Sequence, residues 1–167
     1  MAAPAPSTLR FRVTDPAPVV ACITELRAAG AGWVNLRPRL GDDDPGTGDP
    51  PPARPGVLGL LSARGPAVPV CTWVAGETRR GVRGPESIGI QHPTGRRARD
   101  VLPAAGITLP EGWRLRGDHP RRGLVVEVPA DTDPGAIVAW LLDAARALAD
   151  GPLADDWVAA VHRPSDR

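Results

Sequence analysis

The chain has 167 residues, 20 arginines, no lysine and 19 acidic residues, and its formal net charge is +1. This length is enough for one domain whose core needs no metal ion or disulfide. The lack of lysine excludes a Walker A phosphate loop and Schiff-base chemistry. The N-terminus lacks the pattern of a signal peptide, and no apolar stretch approaches about 18 residues, so we expect no membrane span and a soluble, cytoplasmic protein.

The N-terminal part predicts a strand, a helix and a second strand. After residues 1–8, which we expect to be frayed, apolar and basic residues alternate over residues 9–13, as in a half-buried strand. Asp15 and Pro16 are a suitable cap and first-turn residue for a helix that ends at Gly30. Residues 32–36 are predicted to form the second strand.

The next stretch is poor in apolar residues. Residues 40–56 are mostly glycine, aspartate and proline, and we expect a mobile, solvated loop. The three aspartates at 42–44 lack the alternating acids and final glutamate of an EF-hand loop. A strand is predicted at 67–75. Cys22 and Cys71 fall at apolar positions of predicted elements, so we expect reduced, packed thiols.

Residues 86–129 contain two of the three histidines, each followed by proline. This segment predicts a short strand at 87–90, a loop, a short helix, and a hairpin that pairs residues 112–116 with 124–128. A second helix then starts at Asp133, a last short helix is predicted at 153–162, and 163–167 form a tail.

The two predicted strand–helix units resemble each other. Residues 14–21 and 132–139 are identical at five of eight positions. Either a duplication or convergence on helix-start chemistry explains this, and both place the two helices against one sheet. The sequence thus predicts a single α+β domain over residues 9–162. Its sheet should have five or six mainly antiparallel strands, with two main helices packed on one face.

Charge is unevenly distributed along the chain. Residues 1–78 carry seven arginines and seven acids, residues 79–122 ten and four, and residues 123–167 three and eight, which gives 0, +6 and −5. The acidic C-terminal segment either folds back on the basic middle segment, or leaves it free as an anion-binding face.

The middle segment offers one candidate site. If Thr94 caps the short helix, Arg96 and Arg97 occupy its first turn, where positive charge opposes the helix dipole unless an anion binds there. The hairpin turn adds His119 and Arg121. We therefore predict an anion pocket that consists of His92, Arg96, Arg97, His119 and Arg121. The alternative is a solvated surface whose arginines pair with nearby acids such as Asp100 and Asp118.

Other chemistry finds little support in the residues. No serine lies in a nucleophile elbow, neither cysteine has a basic neighbour, and the three histidines lack metal-ligand spacing, so we expect no metal site and no cofactor. Each of the five tryptophans lies on an apolar stripe or alternation, which favours a place in the core.

Three hypotheses for function follow. The first is a small, non-catalytic binding or adaptor module that recognises an anionic ligand or an acidic protein partner on its arginine- and histidine-rich face. The alternative is an enzyme acting on a phosphorylated or carboxylated small molecule, with His92 or His119 as general acid/base. The second alternative is a weak, sequence-tolerant nucleic-acid binder, which the scarcity of exposed aromatics disfavours. The oligomeric state stays open.

Overall fold

The computed structural model describes residues 6–41 and 66–163, which contain nine strands and three α-helices. The strands are β1 (Ser7–Arg12), β2 (Trp33–Pro38), β3 (Val70–Val74), β4 (Thr78–Arg79), β5 (Val82–Arg83), β6 (Glu86–Gln91), β7 (Arg114–His119), β8 (Gly123–Val128) and β9 (Asp156–His162). The helices are α1 (Ala17–Ala29), α2 (Ala98–Val101) and α3 (Pro134–Ala147), and a 3-10 helix follows α2 at Pro103–Ala105.

Seven of these strands form one antiparallel sheet in the order β1-β9-β2-β3-β6-β8-β7, and β4 pairs with β5 in a small separate hairpin. The α+β class agrees with the prediction, although the sheet has seven strands instead of five or six. The predicted hairpin is present as β7 and β8, with a bulge between Leu115 and Gly117.

Helices α1 and α3 lie on the same face of the sheet. Helix α1 joins β1 to β2 and α3 joins β8 to β9, and β9 lies between β1 and β2, so the two strand–helix–strand units interlock. The two helices contact each other and share one core with the strand side chains that alternate toward them. The largest fully buried residues of this core include Trp73, Trp157 and Leu141.

Both cysteines are free thiols, as predicted. Cys71 lies on β3 and is fully buried, and burial raises the pKa of its thiol to about 12. It is therefore a packing residue of the core.

The last predicted helix is wrong, because residues 156–162 form strand β9. This strand carries an almost continuous apolar run, in which Trp157, Val158, Ala159 and Val161 are all buried. A strand in the middle of a sheet reads as such a run when both of its faces are covered, and periodicity alone does not separate it from a buried helix. The missed strand accounts for the difference in strand count.

Two expectations about single residues are also wrong. Trp33 is 42% exposed, and its ring stacks on that of His162 with centroids 4.4 Å apart, whereas the other four tryptophans are buried. Asp15 makes no cap hydrogen bond to α1, whose N-cap is Pro16. At α3, by contrast, Asp133 accepts a hydrogen bond from the Ala136 amide at 2.8 Å.

The sheet and helices are tied together by a buried ion pair that the sequence does not reveal. The carboxylate of Glu86, 0% exposed, accepts hydrogen bonds from Arg27 Nε at 2.6 Å and Arg27 Nη2 at 2.8 Å. The indole of Trp73 donates to the same carboxylate at 2.8 Å, and Arg27 Nη1 donates to the Thr132 carbonyl oxygen at 2.8 Å. This network joins α1, β3, β6 and the entry to α3.

Three segments, residues 1–5, 42–65 and 164–167, lie outside the described residues. They include most of the predicted loop at 40–56. Strand β1 begins at Ser7, inside the segment 1–8 that we expected to be frayed, and Arg163 forms an ion pair with Glu25. In the part of the chain that the structure describes, none of the helices combines the length and apolarity needed to cross a bilayer.

Candidate anion-binding surface

The two histidine–proline turns of the middle segment lie side by side at one end of the sheet. The loop that contains His92 follows β6, and the turn that contains Pro120 joins β7 to β8. Because β6 pairs with β8, with Ile90 opposite Leu124, both turns leave the sheet at the same end. Gly123 has φ +85°, and a Cβ there would overlap the Ile90 carbonyl oxygen, so a glycine is needed for this approach.

The N-terminus of α2 is already occupied by a carboxylate of the protein itself. Asp118, at the end of β7, accepts hydrogen bonds from the amides of Ala98 at 2.9 Å and Arg99 at 3.0 Å. Amides at a helix N-terminus have no partner within the helix, and the sequence predicts that a ligand anion binds them here. Asp118 therefore joins the two turns and supplies the negative charge internally.

The predicted cap at Thr94 is wrong, since α2 begins at Ala98 with Arg97 as its N-cap. The hydroxyl oxygen of Thr94 instead accepts a hydrogen bond from the Arg96 amide at 3.2 Å, within the loop. Arg96 and Arg97 consequently precede the helix and do not lie in its first turn.

His92 is buried beneath this surface, with 1% of its area exposed. Its Nδ1 lies 2.9 Å from the Thr94 hydroxyl, and its Nε2 has no hydrogen-bond partner. The Thr94 hydroxyl also lies 3.4 Å from the Arg96 carbonyl oxygen. Burial lowers the pKa of His92, and the nearby Asp118 only partly opposes this shift. His92 is thus a neutral, inward-facing side chain.

His119 is exposed, but one of its ring nitrogens is used within its own turn. Nδ1 accepts hydrogen bonds from the backbone amides of Arg121 at 3.1 Å and Arg122 at 3.4 Å. This geometry stabilises the three-residue connection between β7 and β8. The structure therefore brings His119 close to the His92 loop without directing both rings into one pocket.

The arginines of the two turns form the exposed part of the region. We call Arg96, Arg97, Arg121 and Arg122 the arginine surface, and all four are exposed. The guanidinium groups of Arg96, Arg97 and Arg122 have no ion pair or hydrogen bond anywhere in residues 6–41 and 66–163. Three of the four arginines of this surface, Arg96, Arg97 and Arg122, thus carry positive charge that no group in the described residues pairs with.

Two aspartates of the acidic C-terminal segment pair with arginines that lie outside the arginine surface. Asp156 lies 3.5 Å from Arg12 on β1, and Asp155 lies 3.8 Å from Arg146 on α3. Strand β9 is separated from β8 by three strands and from β7 by four, which keeps these two aspartates away from the arginine surface. Within the same half of the sheet, Glu127 pairs with Arg116 at 2.6 Å.

A shallow groove on the open face of the sheet, opposite the helices, borders the arginine surface. It has a volume of about 230 Å³, and Arg122 lies at its edge. Its floor consists of small and apolar side chains that alternate with the core residues of β3, β6 and β8, among them Val70, Thr72, Gly89 and Val125. Val125 is 41% exposed. The groove therefore offers apolar contact next to positive charge.

No three His, Cys, Asp or Glu side chains of the described residues come together as a possible metal-ligand set. Comparison of this chain with protein-family models, with curated proteins and with solved structures finds no match.

Proposed function

We propose that this protein is a non-catalytic binding module that recognises an acidic segment of a partner protein through the arginine surface. The observation that carries the proposal is the set of exposed guanidinium groups on Arg96, Arg97 and Arg122 that have no partner in the described part of the chain. Guanidinium forks bind carboxylates through paired, charge-assisted hydrogen bonds.

An extended acidic segment suits this geometry better than a small anion does. The amides at the start of α2, which would bind a small anion, already donate to Asp118. The groups that are available to a ligand are the arginine side chains on the two turns, and they lie next to a groove with an apolar floor. A peptide with acidic residues beside an apolar one matches both features, because charge gives orientation and the apolar contact adds affinity.

The positions of the histidines support binding rather than catalysis. A general acid or base must come within hydrogen-bonding distance of its substrate. His92 is 1% exposed, and Nδ1 of His119 accepts hydrogen bonds from its own turn. For a single-stranded nucleic acid, stacking of bases on aromatic side chains near the arginines would add affinity. The exposed Trp33 lies at the start of β2, which the strand register places at the opposite end of the sheet.

An NMR titration tests the proposal and distinguishes its alternatives. The side-chain Nε–H signals of Arg96, Arg97 and Arg122 should shift when an acidic peptide with one central leucine is added. The signals of Arg80 and Arg83, which lie by β4 and β5 beyond the other end of β6, should stay in place. Shifts with inorganic phosphate alone would favour the small-anion enzyme hypothesis, and shifts with an oligonucleotide alone would favour nucleic acid. Either result would contradict the proposal.

A further inference from the structure

Strand β1 forms an edge of the sheet, and some of its backbone groups have no partner in the part of the chain that the structure describes. The Val13 amide donates to the Asp155 carbonyl oxygen at 3.0 Å, and the antiparallel register pairs Thr8 with Ala160 and Arg10 with Val158. Hydrogen-bonded and non-hydrogen-bonded pairs alternate along such a ladder. Because the Val13 amide points toward β9, this alternation directs the N–H and C=O groups of Thr8 and Arg10 away from β9, toward the free edge.

Strand β1 is regular from Ser7 to Arg12, and the chain leaves the sheet edge directly after Arg12. The Arg12 carbonyl oxygen accepts a hydrogen bond from the Asp15 amide at 2.9 Å, so the chain turns away there. Within residues 6–41 and 66–163, the outward N–H and C=O groups of Thr8 and Arg10 have no hydrogen-bond partner. Strand β1 has neither a proline nor a bulge between Ser7 and Arg12.

The opposite edge of the sheet is different. Strand β7 is interrupted by a bulge between Leu115 and Gly117, and it carries Arg114, Arg116 and Asp118. Both edge strands carry charged side chains, but only β7 has a bulge, and a bulge is a feature by which a sheet edge avoids pairing with another chain. Among the described residues, β1 is therefore the edge of this sheet that is better suited to pair with a further strand.

We propose that β1 pairs antiparallel with β1 of a second copy of this chain, around a twofold axis at Leu9. This register places Thr8 of one copy opposite Arg10 of the other, twice. Each of these pairs exchanges two N–H···O=C bonds, so all the unpaired groups of Thr8 and Arg10 are used. The two sheets become one continuous sheet.

Side chains favour this register over the neighbouring one. Leu9, which is half-buried against the core on the helix side, meets Leu9 of the other copy and extends the apolar core across the axis. A shift of the axis to Arg10 would place two arginines directly opposite each other, and like charges at such positions are destabilising. In a register between these two, the outward N–H and C=O groups of one β1 strand would lie opposite residues of the other whose N–H and C=O groups point inward. The two strands could then not form hydrogen bonds with each other.

Proline and alanine variants of Arg10 test the proposal by sedimentation velocity at protein concentrations of about 10 to 100 µM. We expect a dimer for the wild type. Arg10→Pro should be a monomer, because it removes an outward N–H without breaking a bond to β9. Arg10→Ala should remain a dimer, because it keeps the backbone groups.

Hydrogen exchange provides a second measurement that does not depend on a variant. The Thr8 and Arg10 amides should become protected as the wild-type concentration rises, while the amides of β7 should not change. Thr8→Pro, which removes the other outward N–H, should also give a monomer, and circular dichroism checks that both proline variants fold. A monomeric wild type, a dimeric Arg10→Pro protein that is folded, or a monomeric Arg10→Ala protein would each overturn the proposal.

Discussion

Replacing Glu86 with glutamine tests the buried network that joins the helices to the sheet. The change keeps the shape of the side chain and removes its charge. Glutamine retains one acceptor oxygen, but its NH2 group then faces the guanidinium of Arg27, whose donors lie 2.6 and 2.8 Å from the two carboxylate oxygens. The Arg27 side chain is 12% exposed, so little water is available to solvate its charge.

The expected loss follows from this burial. Neutralising one partner of a buried ion pair costs about 3–5 kcal/mol, because the other charge is left without compensation. Trp73 can still donate to the remaining oxygen, so we expect the lower end of the range, about 3 kcal/mol. This is a large part of the roughly 5–15 kcal/mol by which a domain of ordinary stability resists unfolding.

Urea titrations followed by tryptophan fluorescence and circular dichroism measure the change in unfolding free energy. Glu25→Gln is a matched control, because Glu25 also pairs with an arginine, Arg163, at 3.1 Å, but the pair lies in solvent. The control should unfold at nearly the wild-type urea concentration. In Arg27→Met/Glu86→Gln, the loss should be smaller than the sum of the single losses by more than about 1 kcal/mol. Additive losses, or a Glu86→Gln midpoint equal to that of the control, would refute the role given to this pair.

Two further predictions concern the region beneath the arginine surface. Asp118→Ala should lower the unfolding free energy by about 1–2 kcal/mol, because the Ala98 and Arg99 amides lose their acceptor. These two amides should then exchange faster with solvent. The control Asp100→Ala changes an exposed carboxylate of the same helix and should leave their exchange unaltered. Burial lowers the pKa of His92, so its contribution to stability is intact above about pH 6.5 and is lost as the pH falls toward the folded pKa, where only the unfolded state takes up the proton. The urea midpoint of His92→Gln should therefore fall less than that of the wild type between about pH 7.5 and pH 5, and an equal fall in both would show that His92 does not titrate in this way.

The strands that the sequence predicts correctly are those in which one face is buried and the other is open. Alternation of polar and apolar residues in β1 and of small and apolar residues in β6 reflects this arrangement. Strand β9 was missed for the opposite reason. Val158 is buried on one face of the strand and Trp157 and Ala159 are buried on the other, so its sequence has no period of two.

The features of the site and of the buried network that could not be predicted from the sequence are long-range contacts. Asp118 binds amides about twenty positions earlier in the chain, and Arg27 binds a carboxylate 59 positions away, so neither role leaves a local pattern. The sequence did show that residues 79–122 carry excess positive charge and contain two histidine–proline turns. It did not predict that Asp118 would occupy the helix N-terminus or that His92 would face inward, because both depend on how β6, β7 and β8 pair.

The central claim is that an acidic protein segment binds the arginine surface, and matched double variants test it most directly. Fluorescence anisotropy gives the affinity of the wild type for a labelled acidic peptide at low salt and at about 300 mM salt. We expect Arg96→Ala/Arg97→Ala to weaken binding about tenfold, and added salt to weaken wild-type binding as well. Arg80→Ala/Arg83→Ala removes the same charge from exposed arginines at the other end of the sheet and should leave the affinity unchanged. Equal weakening by both double variants would show that net charge alone attracts the peptide, and this result would contradict the claim.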